Sequence, residues 1–189
     1  MSVMMQDDRG FTLVELLVAI VILGVVVAAI SASIIVGLKT TDRTSQRLAE
    51  SHDAQMVSSF FATDVESATD VSLTDTACSG ASTVVVRFSW TESDSPSTTV
   101  DHVASYVIEQ DPAGTPGAEK RLVRRSCLGS GLAPAGAVVV AHMPLTAADP
   151  SVTCDSAAPG TCTATPAQVA ITFSEPSGYS YTVTGKRRA

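Results

Sequence analysis

Residues 16–38 read LLVAIVILGVVVAAISASIIVGL, a run of 23 residues without a charged side chain. A helix needs about 20 apolar residues to cross the hydrocarbon core of a bilayer. Gly24 and Gly37 are the only weak helix formers in the run. The run therefore predicts a membrane-spanning helix, and it leaves roughly 150 residues for a single domain after it.

The composition of the whole chain limits what that domain can be. Of its 189 residues, 45% are hydrophobic and 16% are charged, and the formal net charge is −7. The apolar fraction is large enough to build a core, which excludes a wholly disordered chain. The negative charge disfavours a nucleic-acid binder, because phosphates favour positive surfaces.

A cleaved secretory signal peptide is the alternative interpretation of the apolar run. Such a peptide has a basic amino-terminal region and only about 7–15 apolar residues. Here residues 1–10 contain Asp7, Asp8 and a single base, Arg9, and the apolar run is longer. These features favour a helix that is retained in the mature protein.

Glu15 stands immediately before the uncharged run, after the mostly apolar residues 11–14. An ionisable residue inside a membrane helix costs about 2.5–3.5 kcal/mol on insertion scales and usually has a function. If Glu15 only marked the membrane surface, residues 11–14 would have no reason to be apolar. We therefore expect a cationic group to meet this carboxylate.

Residues 9–16, RGFTLVEL, resemble the processing and methylation motif of type IV prepilins and pseudopilins, and the motif leads directly into the expected apolar helix. The resemblance implies that a membrane prepilin peptidase cuts between Gly10 and Phe11 and then methylates the new amine of Phe11. It also implies that this amine, in the same or a neighbouring subunit, pairs with Glu15 during assembly. Further implied partners are other pilins or pseudopilins, an assembly platform protein and the lipid bilayer.

The resemblance also implies a domain organisation. Residues 1–10 are the leader peptide, 11–38 the transmembrane and filament-core helix, 39–70 the amphipathic half of the same helix, and 71–189 an extracytoplasmic β-rich head. In the amphipathic half, apolar residues recur at three- and four-residue steps, which predicts that they pack on a core: Leu48, Met56, Val57, Phe60, Phe61, Val65 and Ala68. The implied precursor is a single-pass protein of the cytoplasmic membrane, which later reaches the pilus and cell surface.

Period-two alternation with β-branched and aromatic residues predicts six strands in the head: 84–91, 103–110, 120–127, 137–143, 168–174 and 179–184. Residues 111–117 (DPAGTPG) predict a turn. A long helix followed by a mostly antiparallel sheet is an α+β architecture, here the pilin fold. Residues 91–99 and 145–166 predict loops, and the second is either surface decoration or disordered.

The four cysteines all lie in the predicted head, and they allow three pairings. Cys154 and Cys162 bracket a short loop containing Pro and Gly, while Cys78 precedes one strand and Cys127 ends another. The preferred pairing is therefore Cys78–Cys127 with Cys154–Cys162. Zinc is the alternative, but there is no CxxC spacing and no nearby histidine. Disulfides imply an oxidising exterior.

Motifs of catalysis and cofactor binding are missing from the sequence: there is no GxSxG, HExxH, P-loop or Rossmann glycine pattern. The three histidines lack the spacing of metal ligands. Asp64, Glu66 and Asp70 are interpreted as a solvated helix face. We expect no enzymatic activity, no catalytic residue, no metal and no cofactor.

Two basic groups remain, residues 120–125 (KRLVRR) and 186–188 (KRR). We interpret them as charges that protect strand edges from pairing, with contact to DNA as the alternative. The prepilin resemblance implies a structural subunit of a type IV pilus or of a related type II secretion or competence filament. The LVRR and YSYTVTGKRR segments are similar, more diffusely, to the PilW and pseudopilin-J group, which implies a minor pilin. A filament-tip adhesin or a DNA-binding pilin for DNA uptake is the alternative function.

Overall fold

A computed structural model describes residues 12–95, 97–112, 117–129, 132–155, 162–163, 165–174 and 178–188. The chain forms two compact units, Met1–Ala49 and Glu50–Ala189. One helix, α1 (Leu13–Ser67), contributes to both of them.

In the first unit, the described residues are Thr12 and the part of helix α1 that ends at Ala49. Every described residue of this unit is exposed, including all the large apolar side chains from Leu13 to Leu38. Within the run, Ser33 satisfies its hydroxyl by donating to the carbonyl of Ala29 at 3.0 Å. Because the backbone groups bond within the helix and the Ser33 hydroxyl bonds locally, the outer surface of residues 16–38 is apolar.

The second unit contains the end of α1 and eight strands. The strands are β1 (Asp70–Ser72), β2 (Thr83–Ser95), β3 (Thr98–Gln110), β4 (Glu119–Leu128), β5 (Ala133–Pro144), β6 (Ser151–Cys154), β7 (Gln168–Ser174) and β8 (Ser180–Lys186). Strands β1 to β5 form one sheet in sequence order, and β6 to β8 form a second sheet in sequence order. Every neighbouring pair is antiparallel.

Both sheets and the last turns of α1 contribute to one hydrophobic core. Val57, Phe61 and Val65 face it from the helix and are fully buried. The ring of Phe61 makes edge contacts with those of Phe88 and Tyr106, with centroids 5.4 and 5.7 Å away. Edge-to-face packing is the arrangement that aromatic quadrupoles favour, so these rings attach the helix firmly to β2 and β3.

The predicted α+β architecture is confirmed, with differences at three places. Leu48 was expected in the buried stripe but is 71% exposed, because it lies in the first unit, where no described residue is buried. The strands form two sheets instead of one. Strands β1 and β6 were missed, since three or four residues are too few for alternation to be recognised.

The predicted loops also differ from the structure. Residues 91–95 and 98–99 belong to β2 and β3, which form a long hairpin in which Thr91 pairs with Asp101. Residues 145–155 are ordered and contain β6, so the disorder interpretation is wrong there; residues 156–161 and 164 lie outside the described chain. Of the turn predicted at residues 111–117, residues 113–116 lie outside the described chain; at its start the Asp111 N–H donates to the Glu119 carbonyl at 3.0 Å. Gly117 has φ +71°, a conformation that favours glycine.

Candidate functional site

Glu15 lies in the first turn of α1, and its side chain is exposed. Thr12 precedes the helix, and its Oγ1 accepts a hydrogen bond from the Glu15 N–H at 3.3 Å. This is the N-cap contact, and the spacing Thr-x-x-Glu is that of a capping box. The positive end of the helix dipole stabilises a carboxylate at this position.

The predicted partner of Glu15 is the Phe11 amine. Gly10 and Phe11, the positions of the predicted cleavage and methylation, lie outside the described residues. From Thr12 onward, the described chain provides no Lys or Arg in an ion pair with Glu15. The pairing with Phe11 therefore stays a prediction.

The helix after Glu15 meets the requirements of a membrane span by length and composition. Its most apolar window of 18 residues has a mean hydropathy of 3.1, and none of that window is buried. A core helix of a soluble protein would bury part of such a surface. An exposed uncharged helix near the amino terminus is consistent with single-pass membrane anchoring.

Asp64 is buried, and this contradicts its interpretation as part of a solvated helix face. Its side chain is 3% exposed and accepts two hydrogen bonds from Arg124, at 2.6 and 2.7 Å. It accepts a third from the Tyr106 hydroxyl at 2.7 Å. The Arg124 guanidinium also lies over the ring of Phe60, 5.3 Å from its centroid. A single carboxylate of α1 thus connects the helix to β3 and β4.

The protonation of this cluster follows from its burial and its contacts. Burial, followed by the negative charge of Asp64, raises the pKa of the Tyr106 phenol well above its usual value. The hydrogen bond to Asp64 raises the pKa of Arg124, against the opposing effect of burial. At neutral pH the Tyr106 phenol is therefore neutral and the Arg124 guanidinium is charged, and both donate hydrogen bonds to Asp64.

The basic group on β4 is not at a sheet edge. Strand β4 lies between β3 and β5, so the edge-protection interpretation is wrong for it. Like Arg124, the other three cations of the group have acidic partners: Lys120–Asp149 at 2.7 Å, Arg121–Asp111 at 2.9 Å and Arg125–Glu109 at 2.6 Å. A phosphate would have to compete with these carboxylates, which disfavours a DNA site here.

The carboxyl-terminal basic group is different. Lys186 lies on β8, an edge strand of the second sheet, and it is exposed. Arg188 is also exposed, and its Nε donates to Glu66 at 2.7 Å. An exposed ion pair of this kind contributes about 0–1 kcal/mol.

The histidines have separate environments. The ring of His102 stacks on Trp90, and its Nε2 is 3.4 Å from Glu92. The backbone N–H of His142 donates to Asp53 of α1 at 2.7 Å. His52 is exposed on the helix. Within the described ranges, no three His, Cys, Asp or Glu side chains come together as a metal site.

The cysteines form two disulfides, Cys78–Cys127 and Cys154–Cys162, the pairing preferred from the sequence. Their Cα atoms are 5.9 and 5.4 Å apart, as is usual for disulfides. The first bridge ties the segment before β2 to β4, and the second ties the end of β6 to the segment before β7. Cys78 has φ +63°, a strained conformation for a residue with a side chain.

Two buried acids of α1, Asp53 and Asp64, were missed by the sequence analysis. Both lie on the same helix face as Val57 and Phe61: Asp53 is four positions before Val57, and Asp64 is three positions after Phe61. The stripe was predicted from apolar residues alone, so Asp64 was assigned to a solvated face and Asp53 was not singled out. Their positions within the stripe were the available signal for burial.

A family model described as the prokaryotic N-terminal methylation motif matches residues 5–31. These residues include Gly10, Phe11 and Glu15 and the first part of the uncharged run. Neither the curated proteins nor the solved structures include a significant match to the chain. The matched motif supports a precursor of the type IV pilin or pseudopilin type.

Proposed function

We propose that this chain is a structural minor subunit of a type IV pilus or of a related type II secretion or competence filament. The observation that carries the proposal is the matched methylation motif, which runs without interruption into an exposed, uncharged helix. A helix of this kind can be held in the bilayer before assembly and then among the helices of neighbouring subunits.

Processing would create the cation that Glu15 requires. Prepilin peptidase would cut after Gly10, and the amine of Phe11 would then be methylated and remain charged. If the helix extends to Phe11 in the processed chain, four residues rise about 6 Å, so this amine and Glu15 would lie about one turn apart. In an apolar environment an unpaired carboxylate is costly, and the amine of a neighbouring subunit could neutralise it and set the axial register.

The proposed topology places the leader in the cytoplasm and the second unit outside the cytoplasmic membrane. Two disulfides in that unit support an oxidising location. The proposed final location is the pilus and cell surface, and the assembly platform protein and other pilins are the proposed partners. The paired cations of β4 favour a structural role over DNA binding.

Mass spectrometry of the amino-terminal peptide tests the proposal, using protein from membranes and from sheared surface material. We expect a chain that begins at Phe11, carries one added methyl group and is present in the sheared fraction. A chain that begins near Ser33 would show release by a signal peptidase and would overturn the proposal.

A substitution separates processing from assembly. Glu15→Ala should leave cleavage intact and should lower the amount of the chain in the sheared fraction. Asp42→Ala removes another exposed acid of the same helix and is the matched control. Equal incorporation of both variants would exclude the role of Glu15.

A further inference from the structure

Three cations of helix α1 lie on one side of the helix, directly after the uncharged run. They are Lys39, Arg43 and Arg47, spaced four residues apart. Because an α-helix has 3.6 residues per turn, each step of four residues rotates by about 40°, and the three side chains lie within an arc of about 80°. All three are exposed. These three residues are called the basic stripe.

The basic stripe has no acidic partner within the described chain. None of its cations forms an ion pair with a described residue, whereas all four arginines of β2 and β4 are paired with acids. Asp42 is the one acid among residues 39–49, and it is exposed beside the stripe without pairing with it. Residues 39–49 therefore carry a net charge of +2 in a chain whose net charge is −7.

The hydroxyl groups around the basic stripe are satisfied inside the helix. Thr40, Thr41 and Thr44 each donate to the carbonyl four residues before them, at 2.9, 3.0 and 2.9 Å. Ser33, within the uncharged run, does the same. Such internal bonds let polar side chains lie next to an environment that is poor in water. The cations are thus the groups in this part of the helix that need a partner from outside.

The position of the basic stripe along the helix matches the headgroup layer of a bilayer. Lys39 is the first residue after the uncharged run, and a rise of 1.5 Å per residue places Arg43 about 6 Å and Arg47 about 12 Å further along the axis. The headgroup layer of one leaflet is about 5–8 Å thick. Helical side chains lean toward the amino terminus, here toward the membrane, so the long side chain of Arg47 can also reach this layer.

We propose that the basic stripe binds the headgroups of anionic phospholipids at the outer surface of the cytoplasmic membrane before the chain is assembled. The inference rests on the proposed function, which places residues 39–47 on that side of the membrane. Phosphate oxygens would accept hydrogen bonds from one ammonium and two guanidinium groups. The contact would fix the depth of the span, because the cations cannot enter the hydrocarbon cheaply and would lose the phosphates by moving outward. Extraction into a filament would have to break it.

The lipid selectivity of the full-length chain tests the contact. The chain is reconstituted in phosphatidylcholine vesicles that contain a trace of spin-labelled phosphatidylglycerol or of spin-labelled phosphatidylcholine. Electron spin resonance then measures the share of each label that is immobilised beside the helix. We expect phosphatidylglycerol to associate about fivefold more strongly at low salt, the ratio that corresponds to about 1 kcal/mol for a lipid beside one cation. About 1 M NaCl should abolish the preference, because it shortens the screening length to about 3 Å.

Equal association of the two labels at low salt would overturn the proposal. The partner of the basic stripe would then be sought among the acids of neighbouring subunits.

Substitutions locate the contact on the helix. The stripe variant replaces all three cations: Lys39→Gln, Arg43→Gln and Arg47→Gln. The matched control removes the same charge from the carboxyl-terminal basic group: Lys186→Gln, Arg187→Gln and Arg188→Gln. The stripe variant should bind both labels about equally, and the control should keep the preference for phosphatidylglycerol. Intact disulfides on non-reducing gels show that both variants fold. A stripe variant that keeps the preference, or a control that loses it to the same extent, would overturn the proposal.

The two proposals fail in different ways. If the unsubstituted chain is absent from the sheared fraction or does not begin at Phe11, the filament function itself is wrong, whatever the vesicles show. If the chain begins at Phe11 and reaches the sheared fraction but shows no preference for phosphatidylglycerol, only the lipid contact of the basic stripe is wrong.

Discussion

Replacing Asp64 with asparagine keeps the shape of the side chain and removes its charge. Asp64 is 3% exposed and accepts three hydrogen bonds, two of them from Arg124, whose side chain is 16% exposed. In the variant, Arg124 keeps its charge and loses its counter-ion. Removing one partner of a buried ion pair lowers the free energy of unfolding by about 3–5 kcal/mol. Because Arg124 is less deeply buried than Asp64, we expect a loss of about 3 kcal/mol.

The assay is urea unfolding of the full-length chain in detergent micelles, followed by the fluorescence of Trp90, the single tryptophan. Asp42→Asn removes an exposed charge of the same helix and is the control, with an expected change within about 0.5 kcal/mol. Asp64→Asn combined with Arg124→Met removes both charges and should recover much of the loss, because no unpaired ion remains.

Two results would refute this reasoning. The first is an Asp64→Asn variant whose free energy of unfolding lies within about 1 kcal/mol of that of the unsubstituted chain. The second concerns the double variant. If its loss of stability equals the sum of the losses measured for Asp64→Asn alone and Arg124→Met alone, the two side chains do not act as a pair.

Three further predictions concern the same unit. Burial and the neighbouring carboxylate raise the pKa of Tyr106, so the folded chain keeps a proton that the unfolded chain releases above about pH 10. The free energy of unfolding should therefore fall above pH 10 by about 1.4 kcal/mol per pH unit; Tyr106→Phe should reduce that slope in urea titrations at pH 9–11, and an unchanged slope would contradict the assignment. Phe61→Ala should cost about 3–5 kcal/mol in the same titration at neutral pH, and a loss below about 1 kcal/mol would mean that the core refills the space. Replacing both Cys78 and Cys127 with serine should cost about 4 kcal/mol by the chain-entropy model, since the bridge spans 49 positions, and a smaller loss than for the other disulfide would contradict that model.

The parts of the fold that depend on local periodicity could be predicted from the sequence. The uncharged run predicted the exposed part of α1, and the three- and four-residue spacing predicted the burial of Val57, Phe61 and Val65. Alternation predicted the central parts of six strands. The cysteine pairing could also be predicted, because the evidence for it was local. That evidence was the short loop between Cys154 and Cys162 and the positions of Cys78 and Cys127 at the ends of strands.

The parts that depend on long-range register could not be predicted. Asp64 and Arg124 are 60 positions apart, and no local pattern indicates that they meet. Isolated acids on a helix are usually solvated, so burial of Asp64 required knowledge of its partner. Likewise, whether β4 is an interior or an edge strand depends on the order of the sheet, which alternation along a strand does not reveal.

The two disulfides do not cross in sequence: the bridge from Cys78 closes at Cys127, before Cys154 and Cys162 occur. In the proposed topology the leader stays in the cytoplasm and the chain that follows the membrane helix is exported beginning with the residues nearest the helix, so the cysteines reach the oxidant one after another. The first two to emerge are the native partners, and so are the last two. Oxidation in the order of export therefore gives the native pairing directly, and secretion of this chain should not require a disulfide isomerase.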